Sequence, residues 1–186
     1  MSKIFFFVLL LIPPLFANAQ DAPVKWATRE SYFEDLAGTD VKPFKGKMVN
    51  GKIFDSKALK NQVLLINFWF EKCPPCVAEM PELNRLVATY KSKNIRFIAI
   101  TTDPVGKARI FQKKKGYQYE VICMTLAQIQ QLNINNGFPT NVLVGANGKI
   151  IKAMGNLSFT DDFPDLKLQS IDFEEKLKRE LADNNK

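Results

Sequence analysis

The sequence predicts an α/β domain in which a central mixed β-sheet is flanked by helices on both faces. Three observations predict it. Two nearly unbroken apolar runs, VLLINFWF from Val63 to Phe70 and IRFIAITT from Ile95 to Thr102, are rich in β-branched and aromatic residues, as suits strands buried on both faces. A segment with helical character follows each run. Finally, Thr140 to Met154 alternates around a turn-rich centre and leads into a charged amphipathic segment.

At the N-terminus, MSKIFFFVLLLIPPLFANAQ carries one early positive charge on Lys3, an apolar block from Ile4 to Ile12, and Ala17 and Ala19 in an Ala-x-Ala arrangement. That pattern predicts a secretory signal over residues 1–19, cleaved after Ala19 so that the exported chain begins at Gln20. The block falls short of the roughly 17 to 25 apolar residues that span a bilayer, although an uncleaved segment would act as an anchor. No cysteine follows the small residues, so a lipid anchor is not expected. Export directs the chain to a compartment, periplasmic or otherwise extracytoplasmic, where disulfides form and persist.

Residues 20–45 are polar with scattered aromatics and read as an N-terminal extension; residues 46–186 read as one domain. A chain of 186 residues with 46% hydrophobic residues can build a core without disulfide staples. Its formal charge of +7 falls to +6 once Lys3 is removed, and the lysines are scattered apart from Lys113 to Lys115. A solvated basic surface accounts for this excess, and nucleic acid is not an expected partner in such a compartment.

Within the domain, Asn50-Gly51 in KMVNGKI marks a two-residue hairpin turn. Val63 to Phe70 is the first buried strand. From Pro74 to about Lys93, Val77, Met80, Leu83, Leu86 and Val87 follow helical spacing, and Ile95 to Thr102 supplies the next strand. Val105 to Lys115 reads as a basic helix ended by Gly116, YEVICMT as a strand, and Ala127 to Leu132 as a short helix. Thr140 to Val144 and Lys149 to Met154 form a hairpin around Gly145 to Gly148, and Phe173 to Leu181 closes the chain as an amphipathic helix.

The chemistry concentrates in FWFEKCPPCVAEMPEL, Phe68 to Leu83, where Cys73 and Cys76 stand two residues apart. With three cysteines and no histidine, neither a Cys₄ nor a Cys/His zinc site can be assembled. A static bridge across so short a loop would stabilise little by chain entropy, which leaves a working dithiol. With Cys73 as N-cap, Pro74 and Pro75 fill the first two helical positions, where their missing N–H groups cost nothing. The Cys73 sulfur then meets the helix dipole and the free N–H of Cys76, and Lys72 adds positive charge, so thiolate is favoured. Cys76, one turn in, is shielded and poised to resolve a mixed disulfide.

Strand NFWF, then CPPC, then a helix with Pro81 five residues after the second cysteine, and later Phe138-Pro139-Thr140 before a strand, resembles the thioredoxin fold. More specifically, it is similar to the exported TlpA/ResA-like thioredoxins, over about Val41 to Leu181. The resemblance implies that Pro139 is a cis-proline packed over the disulfide, with the Phe138 backbone pairing with an extended substrate. It implies that Pro81 kinks the active-site helix. Asn67 stands where cytosolic thioredoxins carry a buried acid, and Glu79 where some relatives place a glutamate near the thiols. Lys72 departs from the usual aromatic residue before the first cysteine.

Trp69, with Phe68, could line a substrate groove or fill the core. Cys123 reads as a buried spectator thiol. The resulting expectation is a thiol-disulfide oxidoreductase with no cofactor or metal, reducing disulfides of protein substrates such as apocytochrome c or copper-site cysteines. A membrane thiol-disulfide transporter would be the electron donor. A disulfide-forming oxidant of the same fold would usually carry histidine between the cysteines, and a peroxiredoxin-like peroxidase would need a threonine that Phe70-Glu71-Lys72-Cys73 lacks. A redox-inert binding module is the third alternative.

Overall fold

The structure, a computed structural model, describes residues 29–59, 61–132 and 134–184. The expected signal segment and the cleavage after Ala19 lie outside these residues. The chain runs α1 (Arg29–Asp35), β1 (Lys45–Met48), β2 (Ile53–Asp55), β3 (Val63–Trp69), α2 (Pro74–Ala78), α3 (Met80–Tyr90), β4 (Ile95–Thr101), α4 (Val105–Lys115), β5 (Glu120–Cys123), α5 (Leu126–Leu132), β6 (Thr140–Val144), β7 (Ile150–Met154) and α6 (Pro164–Asp183).

Seven strands form one sheet in the order β2-β1-β5-β4-β3-β6-β7. The two apolar runs become its centre: β3 and β4 pair in parallel from Val63↔Ile95 to Trp69↔Thr101, and β5 continues the parallel set beside β4. Antiparallel β6 covers the other side of β3, with Asn67 opposite Asn141. The carboxyl ends of β3, β4 and β5 therefore share one end of the sheet, and the cysteine pair follows β3 there.

Strand alternation divides the core in two. Leu65, Trp69, Ala99, Val121 and Leu143 face α3, α4 and α6, where Leu83, Leu86, Phe111, Phe173 and Leu177 cover them. Leu64, Ile66, Phe68, Ile98, Ile100 and Val142 face the opposite layer, built from Phe33 and Leu36 at α1 and Ile129 and Leu132 of α5. Helices on both faces are what all-buried central strands require. Among the described residues no helix is long and apolar enough to cross a membrane.

The part of the extension that the structure describes packs onto the domain. Gly38 N–H donates to Ile150 O at 2.8 Å, Ile150 N–H to Thr39 O at 2.9 Å, and Val41 N–H to Gly148 O at 3.2 Å, so this segment runs along β7. Two helices differ from their expected outlines. The closing helix starts at Pro164 rather than Phe173, because its first turns expose Leu168 and Ile171 and so carry no continuous apolar stripe to betray them. The helix after CPPC is two helices, α2 and α3, meeting at Glu79. Pro81 has no N–H for the Val77 carbonyl, while Glu79 N–H still donates to Pro75 O at 3.2 Å, so the ladder breaks just after α2.

Candidate active site

The site begins where β3 leaves the sheet. Cys73 N–H donates to Phe70 O at 3.1 Å, closing a turn over Glu71 and Lys72. The Asp103 carboxylate, just past β4, accepts from Glu71 N–H at 2.6 Å and from the Thr101 hydroxyl at 3.0 Å, which pins this turn to the neighbouring strand. Lys72 lies exposed on the turn.

Cys73 is the N-cap of α2, in extended conformation, with Pro74 and Pro75 in the first turn. Cys76 N–H points at Cys73 Sγ, 3.3 Å away. The two cysteines are joined in a disulfide across Cα atoms 5.3 Å apart. Cys73 keeps 4% exposure and Cys76 none, so a partner's sulfur can approach only the first.

The Phe138-Pro139 peptide is cis. Its loop is held by side chains: Asn135 Nδ2 donates to Gly137 O at 2.9 Å, and the Thr140 hydroxyl donates to the same oxygen at 2.8 Å. Phe138 meets Phe70 edge to face with centroids 5.2 Å apart, joining the cis-proline loop to the turn that carries the cysteines. Trp69 does not belong to this rim. It is fully buried, stacked on Phe111 at 5.5 Å and edge-on to Tyr117 at 5.8 Å, so of its two expected places, substrate groove or core, it takes the core and is not a substrate-groove residue. The alternation of β3 turns Trp69 toward the helices, and α4 closes over it.

At the end of α2, one turn past Cys76, Glu79 anchors a buried polar network. Glu79 is 3% exposed. Its Oε1 accepts from Asn67 Nδ2 at 2.8 Å, and its Oε2 accepts from Asn141 Nδ2 at 3.0 Å and Leu157 N–H at 2.8 Å. Asn67 also donates to Asn141 Oδ1 at 3.0 Å, and Asn141 to Gly155 O at 2.7 Å. Burial pushes the Glu79 carboxyl up to about 8, against the pull of the Leu157, Asn141 and Asn67 donors. A carboxyl poised there can take and return a proton near neutral pH, three residues from Cys76.

Sequence reasoning missed Asn141, Tyr117 and Asp103. A polar pair, Thr140-Asn141, opening the otherwise apolar TNVLV was the available signal for Asn141; nothing local distinguished the other two. Cys123 is half-buried rather than buried, at the end of β5 opposite Thr101. Burial and the nearby Asp103 charge push its thiol up, which makes it a poor nucleophile.

The profile of the Redoxin family matches residues 36–167. Thiol-disulfide oxidoreductase ResA of Bacillus subtilis (strain 168) is 29% identical over 133 residues, 69% of this chain and 71% of the relative. ResA of Bacillus thuringiensis (strain Al Hakam) is 30% identical over 105 residues, 56% of this chain and 61% of the relative. Among solved structures, a thiol:disulfide interchange protein of the thioredoxin family from Chlorobium tepidum TLS superposes with a TM-score of 0.62 at 26% identity, covering 77% of this chain and 97% of that one. With a cysteine pair at a helix start, a cis-proline in the loop before β6 and a thioredoxin-like sheet, the chain belongs to the Redoxin family, as a ResA/TlpA-like thiol-disulfide oxidoreductase.

Proposed function

We propose that the protein is an exported reductant of protein disulfides. The observation that carries this reading is the Cys73 sulfur at the start of α2, facing Cys76 N–H at 3.3 Å while Cys76 itself is buried. In the reduced protein the Cys73 thiolate attacks one sulfur of a client disulfide, forming a mixed disulfide and expelling the client's other sulfur as thiolate. Cys76 then loses its proton to Glu79 and attacks Cys73. The Cys73–Cys76 disulfide forms, the mixed disulfide breaks, and the client sulfur that Cys73 had captured leaves as a thiol or thiolate.

The helix start supports this direction of exchange. A strong oxidant of this kind is one whose reduced thiolate is heavily stabilised. Here Pro74 and Pro75 remove the N–H groups of the first two helical residues, and Val77 N–H is spent on Cys73 O. One backbone donor, Cys76 N–H, remains for the thiolate, enough to favour it over the thiol at Cys73 but short of the heavy stabilisation that marks a strong oxidant. Titrating the pair against glutathione tests this: a potential near about −270 mV supports the reductant, and one near about −120 mV makes the protein an oxidant.

Cleavage after Ala19 and release outside the cytoplasm complete the reading, with Met1 to Ala19 as signal. Mass spectrometry of the exported protein is expected to find Gln20 first; an intact N-terminal segment would make it membrane-tethered. Clients are proteins with exposed cysteine pairs, such as apocytochrome c and copper-site cysteines. They would dock in extended form against Phe138 and Pro139, and a membrane thiol-disulfide transporter would restore the dithiol.

A further inference from the structure

Tyr117 lies between α4 and β5, fifty residues from Asn67, and its hydroxyl donates to Asn67 Oδ1 at 2.8 Å. The ring is stacked on Tyr119 at 4.9 Å and set edge-on against Trp69 at 5.8 Å, so packing on two sides aims the hydroxyl. The orientation of each amide in the network settles the next. Gly155 offers a carbonyl, which only accepts, so Asn141 must turn its Nδ2 that way. Asn141 Oδ1 is then left facing Asn67 Nδ2, and Asn67 Oδ1 faces Tyr117. As a result every hydrogen bond to Glu79 arrives from a donor.

Asn67 Oδ1 is thus a buried acceptor satisfied by Tyr117. Without that hydroxyl the oxygen would be orphaned, and an amide turning to satisfy it would swing Nδ2 away from Glu79. We propose that Tyr117 is a positioning residue for thiol-disulfide exchange: through Asn67 it holds an amide donor on Glu79, the carboxyl that trades a proton with Cys76. The inference rests on the reading of Glu79 as proton acceptor. The titratable groups that face Glu79 from other elements are Tyr117 and Tyr119; on its own helical segment it follows Cys76. Burial first, and the neighbouring charges after it, hold both phenols well above their ordinary range, so Tyr117 remains a donor throughout the working pH.

The test uses the full chain in its oxidised form, in which Cys73 and Cys76 do not titrate. The Glu79 carboxyl carbon is followed against pH by NMR with labelled glutamate, its signal assigned by its loss in Glu79→Gln. Tyr117→Phe is expected to raise the Glu79 midpoint by on the order of half a pH unit, the share of a charge-assisted bond that polarisation through Asn67 supplies. Replacing Tyr117 with 3-fluorotyrosine, a better donor of nearly the same shape, is expected to lower it, and carries the test alone if Tyr117→Phe does not fold. Midpoints unchanged from the parent would reduce Tyr117 to core packing and overturn the proposal. The reductase pH profile of Glu79→Gln provides the separate arm: if it superimposes on the parent's, the reading of Glu79 fails, and Tyr117 loses its catalytic consequence even with the titration shift intact.

Discussion

Asn67 and Asn141 stand opposite each other across the β3–β6 ladder, and Asn67 Nδ2 donates to Asn141 Oδ1 at 3.0 Å between two strands whose remaining side chains, Thr140 apart, are apolar. The pair is a floor on which Glu79 sits. Asn141→Ala removes one of the three donors to that carboxyl and leaves Gly155 O and one Asn67 hydrogen unmatched. The expected cost is about 2 to 4 kcal/mol of stability, with a rise in the Glu79 midpoint, read by denaturant unfolding and carboxyl titration. A neutral substitution would mean that the network relaxes around the gap.

Glu79 also ties stability to pH. The folded carboxyl lies at about 8 against an ordinary value of 4.5, so folding takes up a proton between those limits. Below about 4.5 both states are protonated and the group costs nothing; as pH rises from there toward 8 only the unfolded state ionises freely and stability falls, levelling off above 8, where both states are ionised. Over that window the loss from this group is expected to be on the order of 4 kcal/mol, measured on the oxidised protein. Glu79→Gln should flatten this part of the curve. Its most favourable placement keeps the amide oxygen on Leu157 and Asn141 and turns the NH₂ toward Asn67, at the loss of one hydrogen bond.

The two sulfurs should separate cleanly in trapping experiments. Cys76→Ser leaves the nucleophile without its resolving partner, so clients are expected to accumulate as mixed disulfides that survive non-reducing electrophoresis and vanish with reductant. Cys73→Ser should trap almost nothing, because Cys76 is fully buried. Adducts on Cys73→Ser alone would reverse the two roles.

Cys123 shares the carboxyl end of the sheet with the dithiol, opposite Thr101 on β4, yet it is a free thiol. Cys123→Ala is expected to preserve turnover and cost at most about 1 to 2 kcal/mol through lost packing. A folded variant with a large loss of turnover would make it a third redox participant.

What the sequence disclosed was local. The apolar runs of β3 and β4, the proline pair that starts α2, the Asn50-Gly51 turn and the Gly116 stop of α4 each announce themselves within a few residues. The network around Glu79 was hidden because it is assembled across the fold: Tyr117 reaches Asn67 over fifty residues, and Asn141 reaches it over 74. The break at Glu79 was half legible. Pro81 implied a kink, but only the closed fold shows that the bend brings the carboxyl under Asn67, Asn141 and Leu157 rather than into solvent.

The segment running beside β7 bears on how the molecule behaves at high concentration. An unpaired strand edge is a template on which a second chain can add itself and seed aggregation. At one end of the sheet, Gly38, Thr39 and Val41 occupy the backbone groups of Gly148 and Ile150. At the other end β2 offers three residues, too short a template for stable pairing, and its last one, Asp55, is tied to Lys45. A shorter chain beginning at Val41 would keep the dithiol and the Glu79 network while laying open the β7 edge, so its first defect should be self-association rather than lost chemistry.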